Sequence, residues 1–344
     1  CLSRTALQEL RVDICSGQMA KRGIGHRFRL HPLQCLVNII MIFGTRAKSS
    51  PFHESRNGRG CPIIREETCR IVYNRIPGTG SEILLGLTQK LHPLLNLRPE
   101  TSPNLAHELL SENEQKVLAR RILQAKTPAF IARAGTFIDF DALGERHPIW
   151  INVVRNPVDL LISRFYHFRQ LWAEGVPRLF DKCVRQALEQ GPGSSAAQAC
   201  LPPTIQMHSF CGQHEDCFIS PSMVKDQATK AALTESMRRR AETTVKTKYF
   251  IVGLTEHLGH LLRMLQKGIP QYFAGVVDLW KREQHAILKK YPRPTNATLA
   301  LVEAYYPEEI AFYNTIAALF FTKAQDCGVL KIRKVDGLPA VLSQ

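Results

Sequence analysis

The residues best suited to chemistry lie in Tyr73-Asn74-Arg75-Ile76-Pro77-Gly78-Thr79-Gly80-Ser81, where an arginine, two glycines and two hydroxyl side chains share one short stretch. In the surrounding run CRIVYNRIPGTGSEILLGLTQK (Cys69–Lys90), Ile71–Asn74 read as a strand and Ile83, Leu84, Leu85 and Leu87 as the apolar side of a helix. A glycine-bearing turn between strand and helix aims several backbone N–H groups at one spot. The helix dipole adds partial positive charge there, so the spot suits a phosphate or a sulfate. It is not a nucleotide-hydrolase loop, because the lysine of G-x-x-x-x-G-K-[ST] is missing. On this stretch alone an ordinary strand–turn–helix connection is the alternative.

The elements that must position such a loop are legible further along. Ile149–Val154 (IWINVV) is a nearly continuous apolar run of the kind a buried parallel strand needs. Arg155-Asn156-Pro157 ends it, and Pro157 opens a helix through Phe168 or Leu171, so a second strand–turn–helix unit repeats the first. Ser111-Glu112-Asn113-Glu114 is a capping box, followed by Val117, Leu118, Ile122 and Leu123 on one helical face. Ala129–Ala132 and Phe137–Phe140 are short apolar segments, and Asn96–Asn104 breaks the pattern. Val176–Cys217 reads as irregular, Lys225–Thr244 as helical, Tyr249–Leu254 (YFIVGL) as a strand and Glu256–Lys267 as a helix. Lys281–Pro294 reads as a basic loop, and Ala297–Lys323 as a last amphipathic helix. Strands alternating with helices predict an α/β fold with a parallel sheet.

Composition narrows the partners. The 344 residues suffice for one large domain or two modest ones. A net charge of +15 suits a polyanion: nucleic acid, an anionic membrane, or a sulfated or carboxylated polysaccharide. No C2H2 finger, basic zipper or aromatic RNP signature is present, which disfavours nucleic acid. The spacings of Cys183, Cys200, Cys211 and Cys217 fit zinc pairs poorly and suit two short disulfide loops, hence an oxidising compartment. Asn296-Ala297-Thr298 is a glycosylation acceptor that agrees with that compartment. The chain begins with Cys1 rather than Met, which reads as a fragment or an incomplete gene model. The apolar run Cys35–Phe43 is shorter than the roughly 20 residues a spanning helix needs. Thr45–Gly60 reads as a linker.

Four stretches taken together carry a resemblance. RIVYNRIPGTGSE, FIDFDALGERHPIWINVVRNPVDLLISRFYHFR, FCGQHEDC and YFIVGLTEHLGHLLRMLQKGIPQYFAG resemble the uronosyl 2-O-sulfotransferases, the heparan sulfate and uronyl group that includes the insect Pipe-type enzymes. The resemblance spans roughly Cys69 to Val329, in order. It implies a P-loop-like parallel sheet flanked by helices, with residues 1–68 as stem or linker, 69–330 as the sulfotransferase domain and 331–344 as a tail. It also implies a Golgi enzyme with one membrane anchor and a lumenal catalytic domain, and self-association into a homo-oligomer. Its reaction would move a sulfuryl group from 3′-phosphoadenosine 5′-phosphosulfate (PAPS) to the 2-hydroxyl of a uronic acid in a glycosaminoglycan such as heparan or dermatan/chondroitin sulfate, with no metal.

The family loop Y-N-R-V-P-K-T-G-S matches Tyr73–Ser81, which implies that Thr79, Gly80 and Ser81 cradle the 5′-phosphosulfate, with Arg75 beside them and near the acceptor. Arg155 and Ser163 match the pair that holds the 3′-phosphate, and arginine suits a phosphate as a bidentate donor that keeps its charge. Arg75, Arg133, Lys289 and Lys290 are candidate glycan contacts. The cysteines carry over as Cys183–Cys200 and Cys211–Cys217.

Two departures stand out. The family's loop lysine falls on Gly78, and its catalytic histidine, in R-H-V-H-F-L-N-F, falls on Ala134. Sulfuryl transfer needs a base for the acceptor proton and cations for the leaving phosphate, and losing the base costs about a hundred- to ten-thousand-fold. Three readings follow: a pseudoenzyme that keeps PAPS or glycan binding, substitution by a neighbour, or a corrupted gene model. The neighbours are Arg75 or Arg133 for the lysine and His147 or His167 for the base.

Overall fold

The computed structural model describes residues 61–64, 70–92, 96–100, 108–219, 224, 226–287, 291–330, 332–335 and 338–341. The predicted linker, the Cys35–Phe43 run and Lys289-Lys290 lie outside the described residues.

In chain order the domain opens with β1 (Arg70–Arg75), α1 (Ser81–Leu91), β2 (Asn96–Glu100), α2 (Glu112–Leu123), β3 (Ala129–Ala134) and β4 (Ile149–Val154). Then come α3 (Pro157–Phe168), α4 (Phe180–Gln190), α5 (Ser195–Cys200), α6 (His208–Cys211), α7 (Gln227–Lys248) and β5 (Tyr249–Leu254). The last part holds α8 (Leu258–Gly268), α9 (Pro270–Phe273), α10 (Val276–Ile287), α11 (Asn296–Tyr305), α12 (Pro307–Asp326), and the strands β6 (Ile332–Val335) and β7 (Leu338–Val341).

β1 to β5 form one sheet in the order β2-β3-β1-β4-β5, every pairing parallel, and β6 with β7 is a separate antiparallel pair. The predicted α/β parallel sheet is therefore present. β4 and β5 are buried along their whole length, as expected of strands covered on both faces. Because all five strands run the same way, Arg75, Ala134, Val154 and Leu254 end on one edge, where ligands of open α/β sheets bind. β1 lies at the centre, so its following loop has β3 on one side and β4 on the other.

A polar knot crosses the centre of the sheet. The Asn152 side-chain amide donates to the Asn74 carbonyl and to Asn74 Oδ1, both at 2.8 Å, and the Tyr249 hydroxyl donates to that Oδ1 at 2.8 Å. Asn74 Nδ2 donates on to the Ser209 carbonyl at 2.9 Å. Buried polar groups satisfied in this way fix the relative placement of the strands beneath the loop.

Several elements differ from the sequence expectation. Asn96–Glu100 is an edge strand despite Pro99, because an edge strand can spare a missing N–H. Val176–Cys217 carries three short helices rather than irregular chain, and helix α10 extends to Ile287 into the expected basic loop. The last helix is two helices. Pro307 restricts Tyr306 to φ −125°, outside the helical region, and separates α11 from α12. Both expected disulfides, Cys183–Cys200 and Cys211–Cys217, are formed, and a third joins Cys61 to Cys327 across 266 residues.

Candidate functional site

The loop after β1 is built from Pro77 to Gly80, and two of its residues need glycine. Gly78 has φ 88° and Gly80 has φ 78°, conformations that cost other residues about 1–2 kcal/mol. Gly80 also opens α1 without a side-chain cap, which leaves the first-turn N–H groups of Ser81 and Glu82 for an outside acceptor.

Three side chains hold three successive loop carbonyls. Arg164 Nε donates to the Pro77 carbonyl at 2.8 Å, Arg155 Nη1 to the Gly78 carbonyl at 3.2 Å, and the Thr255 hydroxyl to the Thr79 carbonyl at 2.7 Å. In a trans peptide the N–H points away from its own carbonyl, so the amides of Gly78 and Gly80 face away from these anchors, while that of Thr79 turns back to the Ile76 carbonyl. Together with the uncapped amides of Ser81 and Glu82, these donors make a concavity suited to an anion. Thr79 itself is not open to a ligand. It is fully buried, with its hydroxyl donating to the Ile76 carbonyl at 2.8 Å and its N–H at 3.4 Å from the same oxygen. The expected hydroxyl of Thr79 in the cradle is thus spent inside the loop, because the tight turn needs that bond. Gly80 and Ser81 stand where the sequence placed them, Ser81 buried at the first helical position.

The second unit adjoins the first. Arg155 leaves the end of β4 with its backbone clasped by Gln206, whose amide donates to the Arg155 carbonyl at 2.8 Å and whose carbonyl accepts from the Arg155 N–H at 3.1 Å. Glu309, buried on α12, accepts from the backbone N–H groups of Ile205, Gln206 and Met207 and so fixes that clasp. Asn156 caps α3 by accepting from Val158 and Asp159, and its own N–H donates to Glu256 at 2.8 Å. Ser163 is buried on α3, one residue before Arg164, and Leu160 and Arg164 of that helix reach the loop. A cavity of about 410 Å³ opens beside Arg155, Ile162, Tyr291, Arg293 and Glu303. It shares Tyr291 and Pro292 with a second cavity of about 380 Å³ that His167 and Arg169 line, where the Tyr166 and Tyr291 rings stack at 5.6 Å.

The remaining candidates divide. Arg75 ends β1 in register with Ala134 and pairs with Glu82 at 3.1 Å. Ala134 is exposed and presents only a methyl group where the resemblance places a base. Arg133, expected at a glycan surface or as a substitute for the lysine, is 3% exposed and donates to the Thr136 carbonyl at 3.0 Å. Its position inside a covered strand turns it inward. His147 is not the base beside Ala134, because it precedes β4 and lies toward the opposite edge of the sheet, six residues or roughly 20 Å away along the strand direction. There it faces the Lys248 carbonyl at 3.1 Å, within a cluster where Lys248 Nζ joins Asp139 at 3.0 Å and Asp141 at 2.9 Å. Burial holds its pKa below the usual histidine range. His167 is exposed on α3 and faces its own cavity. Asn296 is exposed at the start of α11, while the Thr298 hydroxyl of the same acceptor tripeptide donates to Asp181 at 2.7 Å.

Sequence reading missed Arg164, Thr255 and Gln206. Arg164 had one available signal, its place directly after Ser163 on the helix that follows the second strand. Thr255 and Gln206 had none, since both act through contacts distant in the chain.

The fold is that of a parallel α/β protein, with a glycine turn and an uncapped helix N-terminus at the carboxyl edge of its sheet, an arrangement suited to an anion. Comparison with known proteins finds similar chains. The chain is 26% identical to the mouse (Mus musculus) heparan sulfate 2-O-sulfotransferase 1 over 315 residues, covering 82% of this chain and 78% of that protein. It is 27% identical to the human (Homo sapiens) form over 304 residues, with the same coverage. With the mouse uronyl 2-sulfotransferase it shares 27% identity over 293 residues, covering 78% of this chain and 66% of that protein. No family model matches the chain. The chain is thus similar to heparan sulfate 2-O-sulfotransferases and to a uronyl 2-sulfotransferase, in agreement with the resemblance its motifs carry.

Proposed function

We propose that the chain is a glycosaminoglycan uronosyl 2-O-sulfotransferase that takes its sulfuryl group from PAPS. The observation that carries this reading is Arg155, which holds the Gly78 carbonyl of the cradle and lines the adjoining cavity of about 410 Å³. One residue thereby couples a site for a 5′-phosphosulfate to a site for the rest of the nucleotide. The residues fit the donor: amides of Gly78, Gly80 and Ser81 meet the phosphosulfate, and Arg155 with Ser163 meets the 3′-phosphate. In the reaction the uronic acid 2-hydroxyl oxygen would bond to the sulfur of PAPS as the sulfur–oxygen bond to the 5′-phosphate breaks, releasing adenosine 3′,5′-bisphosphate and the hydroxyl proton. Arg75, half-buried at the end of β1 and beside Ala134, stands where the glycan would approach. The disulfides and the exposed Asn296 suit a lumenal, Golgi-type compartment. Among the described residues no helix is long and apolar enough to cross a membrane.

A second reading is favoured by Gly78 and Ala134. With no base at Ala134 and no lysine at Gly78, the chain would bind nucleotide and sulfated glycan while transferring slowly or not at all. Incubation of the full chain with labelled PAPS and desulfated heparan or dermatan separates the two. Incorporation above a heat-killed control supports the transferase. Binding of adenosine 3′,5′-bisphosphate and retention on heparin, with no incorporation, supports the binding protein. Absence of nucleotide binding overturns both. Self-association is tested by light scattering on the same preparation.

A further inference from the structure

Arg164 packs closely against Gly78. A Cβ on Gly78 would come within 2.8 Å of Leu160 Cδ1 and 3.1 Å of Arg164 Cγ, at a backbone φ of 88°. The stem of Arg164 therefore lies against the bare Cα of Gly78, and its Nε donates to the carbonyl of the preceding residue, Pro77, at 2.8 Å. A side chain at 78 would force Leu160 and the Arg164 stem to give way.

We propose that Arg164 is a positioning residue of the anion cradle, matched to Gly78. It holds the Pro77 carbonyl so that the Gly78 N–H of that peptide faces the ligand, and it brings a cation to the loop. Three observations on geometry support this. First, Arg155 and Thr255 hold the next two carbonyls, so Arg164 completes a row of three, and without it the first peptide of the loop is free to turn. Second, the guanidinium is tied to a backbone carbonyl, an acceptor that leaves its charge uncompensated at that contact. Third, the carboxylate near it, Glu309, is already engaged by three backbone N–H groups. Around Arg164 stand Glu309 and Tyr306 of the α12 side, and no carboxylate of the loop itself touches it. Desolvation lowers its pKa to about 10, so it remains cationic at neutral pH.

The inference rests on the reading of the loop as a 5′-phosphosulfate cradle. The test is designed so that the two can fail separately. Titration of the full chain by calorimetry with adenosine 3′,5′-bisphosphate and with adenosine 3′-monophosphate measures how much the 5′ group contributes. The wild type is expected to bind the bisphosphate more tightly. Arg164→Met, which keeps the stem and removes the donor and charge, should lose roughly tenfold of bisphosphate affinity with that for the 3′-monophosphate unchanged. A purely structural role would weaken both alike. Arg164→Lys, charged but without Nε, should recover part of the loss. Where the Met variant does not fold, Arg164→Gln takes its place, and retained 3′-monophosphate binding certifies the fold. Equal binding of the two nucleotides by the wild type overturns the cradle and the inference together. Undiminished preference for the bisphosphate in a neutral Arg164 variant overturns the inference and leaves the cradle standing.

Discussion

Arg155 Nη1 lies 3.2 Å from the Gly78 carbonyl, so the arginine that follows the strand of the second strand–turn–helix unit is a structural part of the first. Arg155→Met should therefore damage both halves of a nucleotide site. We expect bisphosphate affinity to fall about ten- to a hundredfold, and that of the 3′-monophosphate to fall as well. Calorimetry with both ligands checks it; a loss confined to the bisphosphate would show that Arg155 serves the loop alone.

Gly78→Lys is the obvious repair of a missing lysine, and it is expected to fail. The left-handed φ of 88° costs about 1–2 kcal/mol for a residue with a Cβ, and that Cβ meets Leu160 at 2.8 Å. The melting temperature should drop and sulfate transfer should not rise. A stable Gly78→Lys protein with gained activity would refute the match between Gly78 and Arg164.

The third disulfide closes a long loop. Cys327→Ser should cost about 2–5 kcal/mol, read as a lowered denaturant midpoint against the wild type under non-reducing conditions.

Lys323 gives a signed pH effect. Burial lowers its pKa from 10.5 to about 8 while its ammonium donates to the Phe250 carbonyl. The unfolded chain therefore binds more protons between those values, so stability should rise from pH 8 to pH 10.5 and be lowest on this account below pH 8. Lys323→Met should flatten that slope and raise the melting temperature at neutral pH. A slope that persists in the variant assigns it to other groups.

Asn296 should carry a glycan in a secreting host. Asn296→Gln should remove a mobility shift that glycosidase treatment also removes. Thr298→Ala is a poorer test, because Thr298 also donates to Asp181.

Much of this architecture was legible because its signals are local. The apolar run Ile149–Val154 states its own burial, Ser111 and Glu114 form the capping box they spell, and Pro77 to Ser81 make the turn their glycines allow. What escaped was decided by contacts between distant segments. The inward turn of the Thr79 hydroxyl depends on the tightness of its loop, and the grip of Thr255 on Thr79 spans 176 residues. Pro99 argued against a strand until an edge position removed the objection. The placement of His147 at the far edge follows from strand direction, which residue type does not reveal.

The bridge between Cys61 and Cys327 has a mechanical consequence. Nearly all of the sheet and its helices lie between those two residues, and their Cα atoms are 4.0 Å apart. Tension applied between the chain before Cys61 and the chain after Cys327 would run through the sulfur bond and bypass everything inside. The cradle would sit in an unstressed loop while either end was pulled, for as long as the cystine stayed oxidised.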